Sequence, residues 1–211
     1  MKNYQPHYSG LKIRGGVMIN FDDYPILKNN MSTLKETSID YHDKEHISYM
    51  TNSSRSAVNF DGVKSEYIKH LNLSENPKSN DALFISDGND LVFVEFKNGF
   101  MDSAKKFAVR KKIYDSVIIL TDILNMGISN LKDHMQYILV YNETVNAEER
   151  EVKNKKSYVQ PSESFDNFAK IISRQAKSEY VCFGVKIFEN YCFKNVHTYT
   201  EKEFEQFLAE N

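Results

Sequence analysis

The stretch NDALFISDGNDLVFVEFKNG, Asn80 to Gly99, constrains the fold of this chain more than any other. Its two apolar runs, ALFI and LVFV, read as buried strands joined by the turn-forming residues SDGND. The second run continues without a break into Glu95 and Lys97. Taking an unpaired polar group out of water costs ~2–7 kcal/mol, and an unpaired charge costs more. An acid and an amine at the end of a buried strand therefore have a structural or a chemical use.

Strand geometry narrows that use. Residues two apart point to the same face, so Glu95 and Lys97 project together while Phe96 points to the other side. If SDGND folds the first strand back antiparallel, Asp81 arrives beside them, and the parity of the turn decides on which face. A two-residue turn at Gly88-Asn89 pairs Asp81 with Phe96 and sends it away from the lysine. A three-residue loop or a bulge sets Asp81 opposite Lys97 and Leu83 opposite Glu95, all on one face. A functional cluster thus requires an odd-length loop or a bulge.

Two carboxylates and an amine at one hairpin end suit metal-assisted hydrolysis of a phosphodiester. Carboxylate oxygens hold Mg²⁺, the ion polarises phosphate and lowers the pKa of a water, and the amine orients that water or stabilises transition-state charge. The chain contains two (D/E)xK triplets. Glu151-Val152-Lys153 lies in a charged connector, so only Glu95-Phe96-Lys97 has the strand context.

At these residues the sequence resembles the PD-(D/E)xK nuclease superfamily over roughly residues 60–142. Asp81 matches the first acid of the motif, Glu95 the second and Lys97 the lysine, while Asn80 stands where the motif has proline. The resemblance implies a restriction-endonuclease-like αβββαβ core. It also implies a further acid from the preceding helix, for which Glu66 is the natural candidate. Mg²⁺ (or Mn²⁺) would be held by Asp81, Glu95 and Glu66, and nucleic acid, DNA before RNA, would be the substrate. Many such nucleases cut two strands as homodimers. Two other readings stay open: a non-catalytic module that keeps the fold to grip nucleic acid or a protein, and an interaction protein in which the acid–amine cluster is a buried salt bridge.

The rest of the chain places the motif in an α/β protein, a mixed central sheet flanked by helices. Residues 1–59 read as an arm, with a hairpin at Gly15-Gly16 and loops that pack on a core of residues 60–211, the whole making one compact domain. A short helix begins near Asp61, taken as its N-cap, with Val63, Tyr67 (or Ile68) and Leu71 on one face. A long helix runs from about Ser103 to Met126, capped by Asp102 or Ser103, with Phe107, Tyr114, Val117, Leu120 (or Thr121) and Leu124 facing inward. MQYILVYN is a buried strand, SESFDNFAKIISRQA a helix, and YVCFGVKIF with NYCFKNVHTY a closing hairpin across Glu189-Asn190. A last helix is announced by the capping box of Thr200 and Glu203.

Lys105, Lys106, Arg110, Lys111 and Lys112 crowd the first turns of the long helix, where each opposes the macrodipole by about 0.3–1 kcal/mol. Nucleic-acid phosphate is the expected anion, and a solvated helix face is the alternative. Net charge is −2, so a nucleic-acid partner would be held by a local patch and not by a global field. Runs such as VIIL and YILVY fall far short of the ~20 apolar residues of a membrane span, and MKNYQPHYSG has no apolar core of a secretory signal. The expected compartment is the cytoplasm, where Cys182 and Cys192 would stay thiols packed across the closing hairpin. His42 and His46, four apart, form a weak metal-pair signal.

Overall fold

Continuous apolar runs, buried on both faces, build the middle of the central sheet. The computed structural model describes residues 11–12, 18–40, 47–149, 151 and 180–211. Its main sheet comprises β1 (Met31–Thr33), β2 (Ser56–Asn59), β3 (Ala82–Ile85), β4 (Leu91–Lys97), β5 (Met135–Tyr141) and β6 (Asn195–Thr200). They lie in the order β6-β5-β4-β3-β2-β1. From β1 to β4 each neighbour is antiparallel, whereas β4, β5 and β6 are mutually parallel neighbours. A parallel pair needs a crossover, and α2 (Ser103–Ile123) provides it between β4 and β5. The other main helices are α1 (Phe60–Tyr67), between β2 and β3, and α3 (Glu201–Glu210), directly after β6.

Each face of the sheet has its own core. Val58, Leu83, Leu91, Phe93, Tyr137 and Leu139 pack against Val109, Ile113, Val117 and Leu120 of α2. Ala82, Phe84, Val92, Val94, Phe96, Ile138 and Val140 meet Leu34, Met50 and Phe204 of α3 on the opposite face. Phe96 and Phe204 stack edge to face with centroids 5.8 Å apart, a contact worth about 0.5–1.5 kcal/mol beyond burial. Caps fix the helix ends. Asp102 accepts the Lys105 N–H at 2.7 Å, and Thr200 and Glu203 close their capping box at 3.2 and 2.8 Å.

The β3–β4 loop is three residues long. Ser86 N–H donates to the Asp90 carbonyl at 2.9 Å, enclosing Asp87, Gly88 and Asn89. Asn89 takes the left-handed conformation (φ 61°), which asparagine tolerates well. Ala82 pairs with Val94 and Ile85 with Leu91, so extending the register sets Asp81 opposite Glu95. The same-face parity is the one a functional cluster requires. The pairing partner differs, because the loop is centred on Gly88 and shifts the register by two residues from an Asp81–Lys97 pairing.

Several expectations are corrected. Two strands, not three, separate α1 from α2, and the third antiparallel strand, β2, comes from before α1. Residues 1–59 thus contribute β1 and β2 to the main sheet. Leu11–Lys12 pairs with Met18–Ile19, and the Gly15-Gly16 turn between them lies outside the described residues. Asn59, not Asp61, caps α1 through the Gly62 N–H, and the helix ends early enough to leave Leu71 exposed. The hairpin across Glu189-Asn190 does not form. Residues 180–193 make turns and a short 3₁₀ helix, and β6 pairs in parallel with β5 instead. Cys182 and Cys192 are buried in the core that α2 covers and are not joined in a disulfide. The helix expected over 162–176 and the His42/His46 pair lie outside the described residues. Among the described residues no helix is long and apolar enough to cross a membrane.

On α2 the expected inward residues Val117, Leu120 and Leu124 are buried, but the face is turned away from Phe107 and Tyr114. Phe107 is 70% exposed and Tyr114 43%, while Val109, Ile113, Ser116, Val117 and Leu120 are buried. Tyr114 packs on Phe188, with ring centroids 5.0 Å apart. Apolar residues stand on both sides of this helix, so periodicity alone does not choose its buried face.

Candidate active site

Asp81, Glu95 and Lys97 meet on the α2 side of the sheet, at the C-terminal end of β4. Glu95 is fully buried, whereas the side chains of Asp81 and Lys97 are 17% and 23% exposed. The Lys97 ammonium forms a close ion pair with Glu95 Oε1. Asp81 is held by the backbone: its Oδ2 accepts the Phe96 N–H at 2.7 Å, which fixes the carboxylate across the hairpin end.

A fourth residue completes the cluster. Lys112 of α2 places Nζ 3.0 Å from Asp81 Oδ1 and 2.6 Å from Glu95 Oε1. It stands three residues after Val109 and four before Ser116, inside the buried stripe of the helix. A lysine in an apolar stripe is the sequence signal that would have found it, and the shifted helix phase concealed that signal. Lys112 was expected to face nucleic-acid phosphate; here it bridges two carboxylates.

Electrostatics follow from burial. Loss of water raises the pKa of Glu95 above the usual glutamate value, and the neighbouring charge of Asp81 adds to this. Lys112 and Lys97 pull the other way without cancelling the rise. For Lys112 burial disfavours the ammonium, but Glu95 and Asp81 outweigh it and raise its pKa above the ordinary lysine value. The buried Tyr137 hydroxyl, which has no hydrogen-bond partner among the described residues, is pushed well up by burial and then by the charges of Glu95 and Asp81.

The cluster opens onto a cleft of about 460 Å³ whose lining includes Asp81, Lys97, Lys105 and Lys112. Its far wall is Glu36 to Asp40 with Met50, so the N-terminal region shapes the site. Asp61 from α1 also lines it, bound by the Ser79 hydroxyl and by Lys64 at 3.2 Å.

Glu66 is not brought to the site. Its carboxylate accepts from Asn30 at 3.0 Å and Asn29 at 3.4 Å, and it borders a different depression with His70. On a helix, five residues turn the chain by well over a quarter turn from Asp61, which is why one acid lines the cleft and the other does not. The remaining basic residues of α2 are engaged within the chain. Lys105 donates to the Phe100 carbonyl at 2.9 Å and Lys106 pairs with Glu149 at 2.8 Å. Arg110 donates to the Gly184 carbonyl at 3.2 Å and Lys111 pairs with Asp115 at 3.4 Å.

Asp81 and Glu95 are the residues that could hold a metal. Both already reach one cationic atom, and Glu95 Oε2, buried, has no hydrogen-bond partner among the described residues. No group of three or more His, Cys, Asp or Glu suited to a metal occurs among the described residues. Mg²⁺ commonly takes one or two carboxylates and fills its shell with waters and substrate phosphate, so this pair fits its chemistry. Comparison of the chain with protein-family models, curated proteins and solved structures finds no match.

Proposed function

We propose that this protein is a metal-dependent nuclease with a restriction-endonuclease-like core, in which Asp81 and Glu95 bind Mg²⁺ (or Mn²⁺) and Lys97 assists the chemistry. The observation that carries this reading is the convergence of Asp81 and Glu95, across the β3–β4 hairpin, on a single cation position at the floor of a cleft lined by Lys97, Lys105 and Lys112 and also by Glu36, Asp40 and Asp61. Nucleic acid, with DNA as the first candidate, supplies the anion that such a cleft accommodates.

Bound between the two carboxylates, the metal would supply a Lewis acid and a water of lowered pKa. Asp81 contributes a ligand whose direction is set in advance by the Phe96 N–H. Glu95 contributes a buried carboxylate whose Oε2 meets no hydrogen-bond donor among the described residues. Lys97, partly exposed to the cleft, holds a positive charge where negative charge develops on the pentavalent phosphorus, and can orient the attacking water. Metal-free binding without catalysis is the rival reading. It draws on the engagement of Lys106, Arg110 and Lys111 in contacts within the chain, which leaves the lysines of the cleft as the local cations.

The test is cleavage of labelled DNA and RNA with Mg²⁺ or Mn²⁺, beside Lys97→Ala. Metal-dependent cleavage that falls at least about a hundredfold in the variant, the scale of one lost transition-state contact, is the expected result. Undiminished cleavage by the variant removes Lys97 from the mechanism. Salt-sensitive binding with no metal-stimulated cleavage selects the binding module.

A further inference from the structure

Lys112 makes a fuller set of contacts with the proposed metal ligands than Lys97 does. Its ammonium touches both Asp81 and Glu95, at 3.0 and 2.6 Å, whereas among the described residues Lys97 is paired with Glu95 alone. It also leaves Glu95 Oε2 unsatisfied in a fully buried position. A buried carboxylate oxygen with no donor is costly, the more so when the group is charged. Lys112 therefore compensates the charge of this pair without completing its coordination.

We propose that Lys112 is an exchangeable counter-cation: it closes the Asp81–Glu95 pair at rest, and a divalent cation displaces it into the cleft. This rests on the nuclease reading above. Charge supports it. Asp81, Glu95, Lys97 and Lys112 sum to zero, so the resting site is neutral. A divalent ion between the carboxylates leaves Lys97 and Lys112 as two surplus positive charges. Lys112 already lines the cleft with Lys97 and Lys105, so the released ammonium has an aqueous destination beside them. Phosphate in the cleft would stabilise that released state. Metal and nucleic acid then raise each other's affinity, as linkage requires when one event frees a group that the other uses. Divalent metal alone binds weakly, because it must displace an internal competitor.

The experiment combines two readouts on the full chain. Calorimetry with Mn²⁺ compares the wild type with Lys112→Met, an unbranched side chain one atom shorter that removes the charge. Amine acylation mapped by mass spectrometry follows Lys112 in the wild type with and without Mn²⁺, so the test does not depend on the variant folding. The expected results are Mn²⁺ affinity higher in the variant by roughly tenfold to a hundredfold, the factor for one charge-assisted contact, and faster labelling of Lys112 when Mn²⁺ is added. Lys106, paired with Glu149 outside the cleft, should not respond. If the wild type binds Mn²⁺ with no change in Lys112 labelling, or the folded variant binds it no more tightly, the exchange is overturned while the nuclease reading stands. If neither protein binds Mn²⁺, the metal-dependent reading itself falls, and the exchange with it.

Discussion

Removing the Lys112 charge should destabilise the fold in a way that reports on its two carboxylates. At an effective dielectric of about 20, unit charges 3.0 Å apart attract by about 5.5 kcal/mol and those 2.6 Å apart by about 6.4 kcal/mol. Desolvation of the ammonium offsets several kcal/mol of that sum. Breaking a buried pair by deleting one partner typically leaves a net cost of about 3–5 kcal/mol, because the remaining charge is stranded. Glu95 keeps Lys97, which places Lys112→Met toward the lower end, about 3 kcal/mol at pH 7. For a chain of this size that is a fall in Tm of roughly 6–12 °C. The deficit must depend on pH. Protonating Glu95 removes stranded charge, so the gap between variant and wild type should narrow as pH falls. For Glu95 it should begin narrowing above the ordinary glutamate pKa, since burial raises that group. At the other extreme, the raised pKa of Lys112 means its stabilising contribution is complete below the unfolded lysine value. It is lost only as strongly alkaline pH passes its folded value. Urea denaturation of both proteins across the acid range measures this. A deficit below about 1 kcal/mol at pH 7, or one that does not change on acidification, would falsify the bridging role.

Two further expectations separate residues that the sequence motif treats alike. Asp81→Asn should abolish metal-dependent cleavage while the fold persists, since an amide oxygen can still accept the Phe96 N–H; Glu66→Ala should leave cleavage at the wild-type rate and cost under about 1 kcal/mol, as its contacts are surface hydrogen bonds. The phase of α2 is checked by a pair of substitutions. Ile113→Ala, in the core, should cost about 2–5 kcal/mol, and Phe107→Ala, 70% exposed, should stay within about 0.5 kcal/mol. The opposite ranking in chemical denaturation would place the helix in the other phase.

The sequence alone determined the parts of this protein governed by local periodicity. Alternation along β5 sends Tyr137, Leu139 and Tyr141 to one core and Ile138 and Val140 to the other. The same rule puts Glu95 and Lys97 on one face with Phe96 behind them, and the capping residues Asp102 and Thr200 mark helix starts. Tertiary structure decided whatever depends on a choice between two locally acceptable arrangements. β6 has the alternation of a strand, yet only the available edge of β5 determined that it pairs there in parallel and not in a hairpin. Helix α2 is apolar on both sides, so contact with the sheet selected Val109 and Ile113 over Phe107 and Tyr114. That rotation carried Lys112 inward, from an apparent surface cation to the bridge between Asp81 and Glu95. The acids of the site are set by strand parity, which is local. The identity of the cation that holds them is set by the packing of a helix against a sheet, which is not.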